Sequence, residues 1–350
     1  MKKIKITENR YIGEDEPVFI VAEMSANHLQ NFDLAVKIIK EAAKAGADAI
    51  KIQTYTPDTI TLNVDNDYFK IKQGTIWDGK TFYNLYEEAY TPWEWQSKLK
   101  KIAEEEGLIF FSTPFDLTAV DFLEEIGVPI YKIASFEITD IPLIEYVAKK
   151  GKPIIISTGI AELCDIELAL KTIRNEKNDN IVLLKCTSEY PAPVEEANLK
   201  TIKNMEETFN VLTGLSDHTE GIVASVVAVA LGAKVIEKHF TLDRSLGGPD
   251  AKFSLEPEEF KEMVNAVRVA EKALGKITYE LTDKQKKGRE FSKSIFVAKD
   301  VKKGEIFTTE NIKVVRPGYG LHPKYYKIIL GKKSTMDIKK GTPLDWNMIE

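Results

Sequence analysis

The sequence predicts an α/β chain that folds as a (β/α)8 TIM barrel followed by a small β-rich domain. Two observations predict the barrel. Eight short apolar runs recur along the chain: PVFIVAE (17–23), ADAIKIQ (47–53), LIFFST (108–113), IYKIAS (130–135), PIIIST (153–158), IVLLKCTS (181–188), VLTGLSDH (211–218) and AKVIEKH (233–239). Each is followed by a stretch with the period of an amphipathic helix. The runs are continuous and rich in β-branched residues, as buried parallel strands are, and eight such strands alternating with helices close into a barrel. A third observation predicts the second domain. The βα pattern stops near Gly275, and after a highly charged stretch two similar pieces appear, FVAKDVKKGEIFT and STMDIKKGTPLD. The organisation expected is a barrel over 1–280, a linker over 281–292 and a small domain over 293–350.

Helices fit between the runs at about residues 32–46, 93–106, 116–126, 140–150, 162–175, 197–208, 220–232 and 257–274. Asn31 is suited to cap the first and Gly46 to close it. One connection is too long for a barrel loop. Residues 54–92 carry Tyr55, Tyr68, Phe69, Trp77, Phe82, Tyr83, Tyr86 and Tyr90. So many aromatics argue for an ordered lid or substrate wall, with an oligomer contact as the alternative.

Composition narrows the function. Charged residues make up 29% and hydrophobic residues 43% of the chain, values near those of soluble globular proteins. A net charge of −6 argues against nucleic acid as a partner. No stretch approaches the ~20 apolar residues of a membrane span. The N-terminus, MKKIKITENRYIGEDEP, lacks the apolar core of a signal peptide. Two cysteines, Cys164 and Cys186, make no disulfide framework; they predict a reducing cytoplasm, with Cys186 as inert core.

In a barrel of this kind, chemistry gathers where the strands end. His218 and His239 end neighbouring runs, and with Asp217 beside them they predict a divalent metal site with open positions. Lys51 and Lys132 lie toward the ends of the second and fourth strands and suit either Schiff-base chemistry or the clamping of an anion. Thr113, Ser135, Ser157, Ser188 and Ser216 add hydroxyls at the same level. Two cations within a ring of hydroxyls suit a phosphorylated carboxylate. Glu23, Glu137 and Asp250 are the carboxylates available to bind sugar hydroxyls, activate water or relay protons.

Read together, the segments AEMSANH (22–28), KIQT (51–54), STPF (112–115), YKIASFE (131–137), STG (157–159), KCTSEYP (185–191), GLSDHTEG (214–221), EKHFTLDRSLGGPD (237–250) and VVRPGYG (314–320) resemble the sialic acid synthase family. The resemblance implies a cytoplasmic barrel with a C-terminal antifreeze-like (SAF) domain. It implies condensation of phosphoenolpyruvate with an acylamino sugar, and a domain-swapped homodimer. By the same resemblance, His218 and His239 are ligands for Mn2+ or Mg2+. Lys51, Thr113, Lys132, Ser135 and Ser216 match the phosphoenolpyruvate contacts, and Glu23, Gln53, Tyr190 and Asp250 match positions on the sugar and metal side. Glu23, Lys51, Lys132, Glu137 and Asp250 are the expected catalytic residues. Phe115, Ser157 and Ser188 join the substrate contacts, and Arg316 matches an arginine that reaches the partner's sugar site. Ser188, the reading AEMSANH and the segment 74–95 look like the pseudaminic acid synthase branch, whose sugar is 2,4-diacetamido-2,4,6-trideoxy-L-altrose. The neuraminate and legionaminate branches are the alternatives, and a Schiff-base aldolase is a remoter one.

Overall fold

A computed structural model describes residues 2–72, 74 and 77–350. Contacts divide the chain into two units, Met1–Gly275 and Lys276–Glu350. The first opens with an antiparallel hairpin, β1 (Lys3–Lys5) and β2 (Tyr11–Gly13), in which Ile4 faces Ile12. Eight parallel strands follow: β3 (Phe19–Glu23), β4 (Ala49–Thr54), β5 (Ile109–Pro114), β6 (Tyr131–Ile133), β7 (Ile154–Ser157), β8 (Ile181–Cys186), β9 (Leu212–Asp217) and β10 (Val235–His239). They pair in chain order, and β10 closes the barrel on β3 with His239 opposite Glu23. Six lie within the predicted runs, and β4 and β5 extend one residue beyond theirs, to Thr54 and Pro114.

Side chains alternate across a strand, so each barrel strand has one face toward the helices and one toward the barrel axis. The outward set (Ile20, Ile50, Phe110, Ile154, Ile236) packs against helical residues such as Ile38, Leu99, Leu143, Ile173 and Phe260. The inward set forms a second core from Phe19, Val21, Ala49, Phe111, Ile130, Ile155, Val182, Leu184, Leu212 and Val235. Ile4, Ile6 and Ile12 belong to this core, so the N-terminal hairpin plugs one end of the barrel. Sequence reading did not foresee this plug.

Local signals set the helices. Asn31 accepts the Leu34 N–H at 3.1 Å and caps Phe32–Lys44. Gly46, one residue beyond the C-cap, takes φ +90°, which a side chain would strain. Gly214 is required for a different reason: a Cβ there would lie 2.4 Å from the Val235 carbonyl oxygen and 2.7 Å from Leu184 Cδ2. The long β4–β5 connection is ordered into helices Pro57–Ile60 and Phe82–Ala89 before the expected helix Trp93–Glu105.

The second unit pairs β11 (Ser294–Val297) with β12 (Ile312–Val315) around Ile295, Val301, Phe307, Ile312, Ile329, Ile338 and Leu344. The stretch 281–292 carries a short helix, Asp283–Gly288. The two similar pieces pair reciprocally. Val301 and Ile338 exchange backbone hydrogen bonds at 2.9 and 2.8 Å. Asp300 accepts the Lys340 N–H at 2.8 Å and pairs with Lys339, while Asp337 accepts the Lys303 N–H at 2.9 Å and pairs with Lys302. No helix among the described residues is long and apolar enough to cross a membrane.

Candidate active site

The inward face of the barrel changes from apolar to polar near the C-terminal strand ends. Continuing the parity of the inner core brings in Glu23, Lys51, Thr113, Lys132, Ser157, Ser216, Glu237 and His239, each 8% exposed or less. Lys51 Nζ lies 2.7 Å from Glu23 Oε2 and 3.7 Å from Glu237 Oε1, and donates to Thr113 Oγ1 at 3.4 Å. Lys132 Nζ donates to Ser157 Oγ at 2.6 Å and to the Ile133 carbonyl at 3.1 Å, and stands 3.9 Å from Glu237 Oε1. Ser216 donates to that same oxygen at 3.0 Å. Gln53 donates to Ser25 Oγ at 3.0 Å and to Glu23 Oε1 at 3.5 Å.

These buried charges set one another's protonation. Burial pushes Glu23 up to about 7 against the pull of Lys51. Burial also opposes charge on Lys51, but Glu23 and Glu237 hold that ammonium above its ordinary value. Glu237 is likewise opposed by burial and is brought below its usual range by Lys132 and Lys51. Burial lowers Lys132. The site therefore holds a fixed anion between two lysines, with a second carboxyl poised near neutrality.

His218 and His239 stand side by side, ring centroids 5.2 Å apart. His218 Nδ1 is 3.0 Å from the Thr187 carbonyl, which can only accept, so Nδ1 carries a proton; burial opposes charge on this ring, but Cys186 and the Thr187 carbonyl hold it above its ordinary value, and Nε2 is the nitrogen that a metal would take in place of a proton. His239 Nδ1 is buried with no partner among the described residues. Burial first, then the neighbouring His218, holds His239 well below the ordinary imidazole range, in its neutral form. Paired imidazoles with an unsatisfied buried nitrogen fit a divalent ion. Among the described residues no group of three or more His, Cys, Asp or Glu side chains forms a metal cage. Asp217 does not reinforce the pair as the sequence suggested: its carboxylate takes hydrogen bonds from Ser225 and Thr219 at 2.7 Å and pairs with Lys238 at 3.1 Å. It lies on the outward parity of β9. Cys186 is buried, as expected, and its sulfur lies 3.7 Å from His218 Nδ1, so it packs directly against this pair.

A cavity of about 460 Å³ opens beside this floor. Gln53, Phe115, Ser135, Glu137, Tyr190, His239 and Asp250 line it. Burial pushes Glu137 up to about 7, and one of its oxygens has no partner among the described residues. Asp250 accepts the Ala26 N–H at 3.3 Å, and burial raises its carboxyl. Tyr190 packs on His218 at 4.6 Å and on Phe253 at 5.1 Å. Ser135 accepts the Gly159 N–H at 3.1 Å, and a Cβ at Gly159 would meet Ser188 Oγ at 2.1 Å, so both hydroxyls abut this backbone. The β4–β5 connection supplies Ile60, Ile71, Trp77, Phe82, Leu85 and Tyr86 to the lining. Arg316 is exposed just after β12 in the second unit. Glu237 escaped the sequence reading, although parity with His239 two residues on would have turned it inward.

The chain belongs to the NeuB family, whose model matches residues 38–279, and residues 292–350 match the SAF domain. It is 52% identical over 330 residues to the pseudaminic acid synthase of Campylobacter jejuni, covering 94% of this chain and 96% of that one. It is 46% identical to the pseudaminic acid synthase of Helicobacter pylori, covering 96% and 98%. Among solved structures, N-acetylneuraminic acid synthetase from Leptospira borgpetersenii superposes with a TM-score of 0.73 at 36% identity, over 83% of this chain and 96% of that one.

Proposed function

We propose that this enzyme condenses phosphoenolpyruvate with 2,4-diacetamido-2,4,6-trideoxy-L-altrose to give pseudaminic acid and phosphate. The observation that carries the chemistry is the pair of buried lysines, Lys51 and Lys132, set on either side of Glu237 at the floor of the site. The two lysines bind the phosphate and carboxylate of phosphoenolpyruvate, and the hydroxyls of Thr113, Ser135, Ser157 and Ser216 complete the anion site. Gln53, Phe115, Glu137, Ser188, Tyr190 and Asp250 hold the open-chain sugar above it. His218 and His239 would hold a divalent ion, Mn2+ or Mg2+, which supplies Lewis-acid polarisation of the aldehyde when bound.

C3 of phosphoenolpyruvate then attacks the aldehyde carbon, whose oxygen takes up a proton to become a hydroxyl; water adds at C2 and loses both its protons as the ketone forms, one offsetting that uptake and one leaving on phosphate, which departs with the bridging oxygen as the C2–O bond breaks. In this reading Glu23, buried beside Lys51 with its carboxyl raised to about 7, takes the first of these protons. Orientation of two reactants and fixed charge at the floor carry the acceleration. The reading includes a cytoplasmic reaction and a domain-swapped homodimer, with Arg316 of one chain serving its partner. Its support is the shared family and the 52% identity over nearly the whole length. Phosphate release from phosphoenolpyruvate is the test. Release that requires the diacetamido sugar is expected; release independent of any sugar contradicts the reading.

A further inference from the structure

The cavity is lined unequally. Its barrel side mixes the polar Gln53, Ser135, Glu137, His239 and Asp250 with Phe115, Phe136 and Pro249. The side made by the β4–β5 connection presents Ile60, Ile71, Trp77, Phe82, Leu85 and Tyr86. This second wall is tightly packed. Phe82 stacks on Tyr86 at 6.2 Å, Tyr86 meets Tyr55 edge-on at 5.5 Å, and Trp77 reaches across to Tyr190 at 5.8 Å. Leu85 is only 8% exposed. A hydroxyl pressed against Ile60, Ile71, Phe82 and Leu85 loses its water and gains no partner from them, whereas a methyl gains from burial.

The reaction fixes which end of the sugar meets this wall. The aldehyde carbon must join C3 of a phosphoenolpyruvate held by Lys51 and Lys132, so it lies at the floor. The other end of the open chain, C5 and C6, therefore points away from the floor. We propose that the wall formed by Ile60, Ile71, Phe82 and Leu85 reads the terminal carbon of the acceptor and selects a methyl over a hydroxymethyl group. This inference rests on the synthase reading and deepens it: the specificity element is the β4–β5 connection and not the barrel floor.

The test uses two acceptors identical except at C6, one 6-deoxy and one 6-hydroxy, with phosphate release as the readout. A hydrophobic pocket discriminates a single added hydroxyl by about 10–100-fold, so the wild-type enzyme should prefer the 6-deoxy sugar in kcat/KM by that factor. Leu85→Asn and Ile60→Asn should each shrink the preference to about threefold or less. The change should come through a higher KM for the 6-deoxy sugar, with the KM for phosphoenolpyruvate unmoved. Leu85→Met, which keeps an apolar surface, should retain the preference. Circular dichroism checks folding, and if Leu85→Asn does not fold, the half-buried Ile60 position decides. Folded asparagine variants with the wild-type ratio would overturn the inference. Equal use of both sugars by the wild-type enzyme would overturn it while leaving the synthase reading intact. Phosphate release with neither sugar would overturn both.

Discussion

Lys132 is fully enclosed, and burial opposes its charge, yet Ser157, the Ile133 carbonyl and Glu237 surround its ammonium. In the proposed function that ammonium meets the anion of phosphoenolpyruvate. Lys132→Ala should raise the KM for phosphoenolpyruvate tenfold or more, the scale of a lost charged contact of ~2–3 kcal/mol. Borohydride trapping of a pyruvyl adduct on Lys132 or Lys51 would instead identify an aldolase. His218→Ala and His239→Ala should each abolish turnover while leaving the fold intact by circular dichroism. EDTA should do the same to the wild-type enzyme, with Mn2+ or Mg2+ restoring activity; full activity after chelation would remove the metal from the account. Glu137 gives a pH test. Its carboxyl, raised by burial against Lys132, with Asp140 adding to the rise, titrates near 7 when folded and near 4.5 as a free group. The folded chain therefore binds that proton more tightly. The stabilisation is complete below about pH 4.5 and is lost as pH rises through about 7. Glu137→Gln should then raise Tm at pH 8 relative to wild type by about 1–2 °C, the effect of ~1 kcal/mol in a chain of this size, and by less at pH 5. Equal shifts at both pH values would contradict the assignment. The histidines were legible because they close apolar runs, and Lys51 and Lys132 because each is the one cation in its run. Glu237 was not, because it shares its run with Lys234 and Lys238, and only the parity of β10 shows which way it faces.

At the scale of elements, the eight strands were legible because both faces of each are buried, which writes a continuous apolar run into the sequence. The transition from core to site was harder to read. It depends on which alternate residues face inward, and a continuous run hides that alternation. The N-terminal hairpin was missed for a related reason: Ile4, Ile6 and Ile12 lie among charged residues and pack only because the barrel end needs a plug. Gly214 tests the packing. Its missing side chain lets β9 lie close to Val235 and Leu184, so Gly214→Ala should destabilise by about 1–3 kcal/mol in urea unfolding, the usual cost of overpacking. An unchanged midpoint would show that the barrel wall yields there. The ordered β4–β5 connection was anticipated from its aromatics. Its two helices were not, because helices as short as Pro57–Ile60 carry too few turns to show a period.

At the scale of the whole molecule, two units share one chain, and the second repeats a D-[VI]-K-K-G piece whose copies clasp each other through Asp300 and Asp337. The repeat was visible in the sequence, but the reciprocal pairing needed coordinates. If Arg316 serves a partner's site, Arg316→Ala and Glu23→Ala should each be inactive alone. Co-refolded, they should recover up to about a quarter of wild-type activity, as random pairing into closed dimers requires. No recovery from proven heterodimers would count against the swap. The central claim, condensation with loss of phosphate, is tested most directly by mass spectrometry. The substrates are phosphoenolpyruvate carrying heavy oxygen between C2 and phosphorus, and 2,4-diacetamido-2,4,6-trideoxy-L-altrose. The account predicts an unlabelled nine-carbon 2-keto acid with the mass of pseudaminic acid, and all of the label in phosphate. Label retained in the keto acid, or pyruvate as the only product, would contradict it.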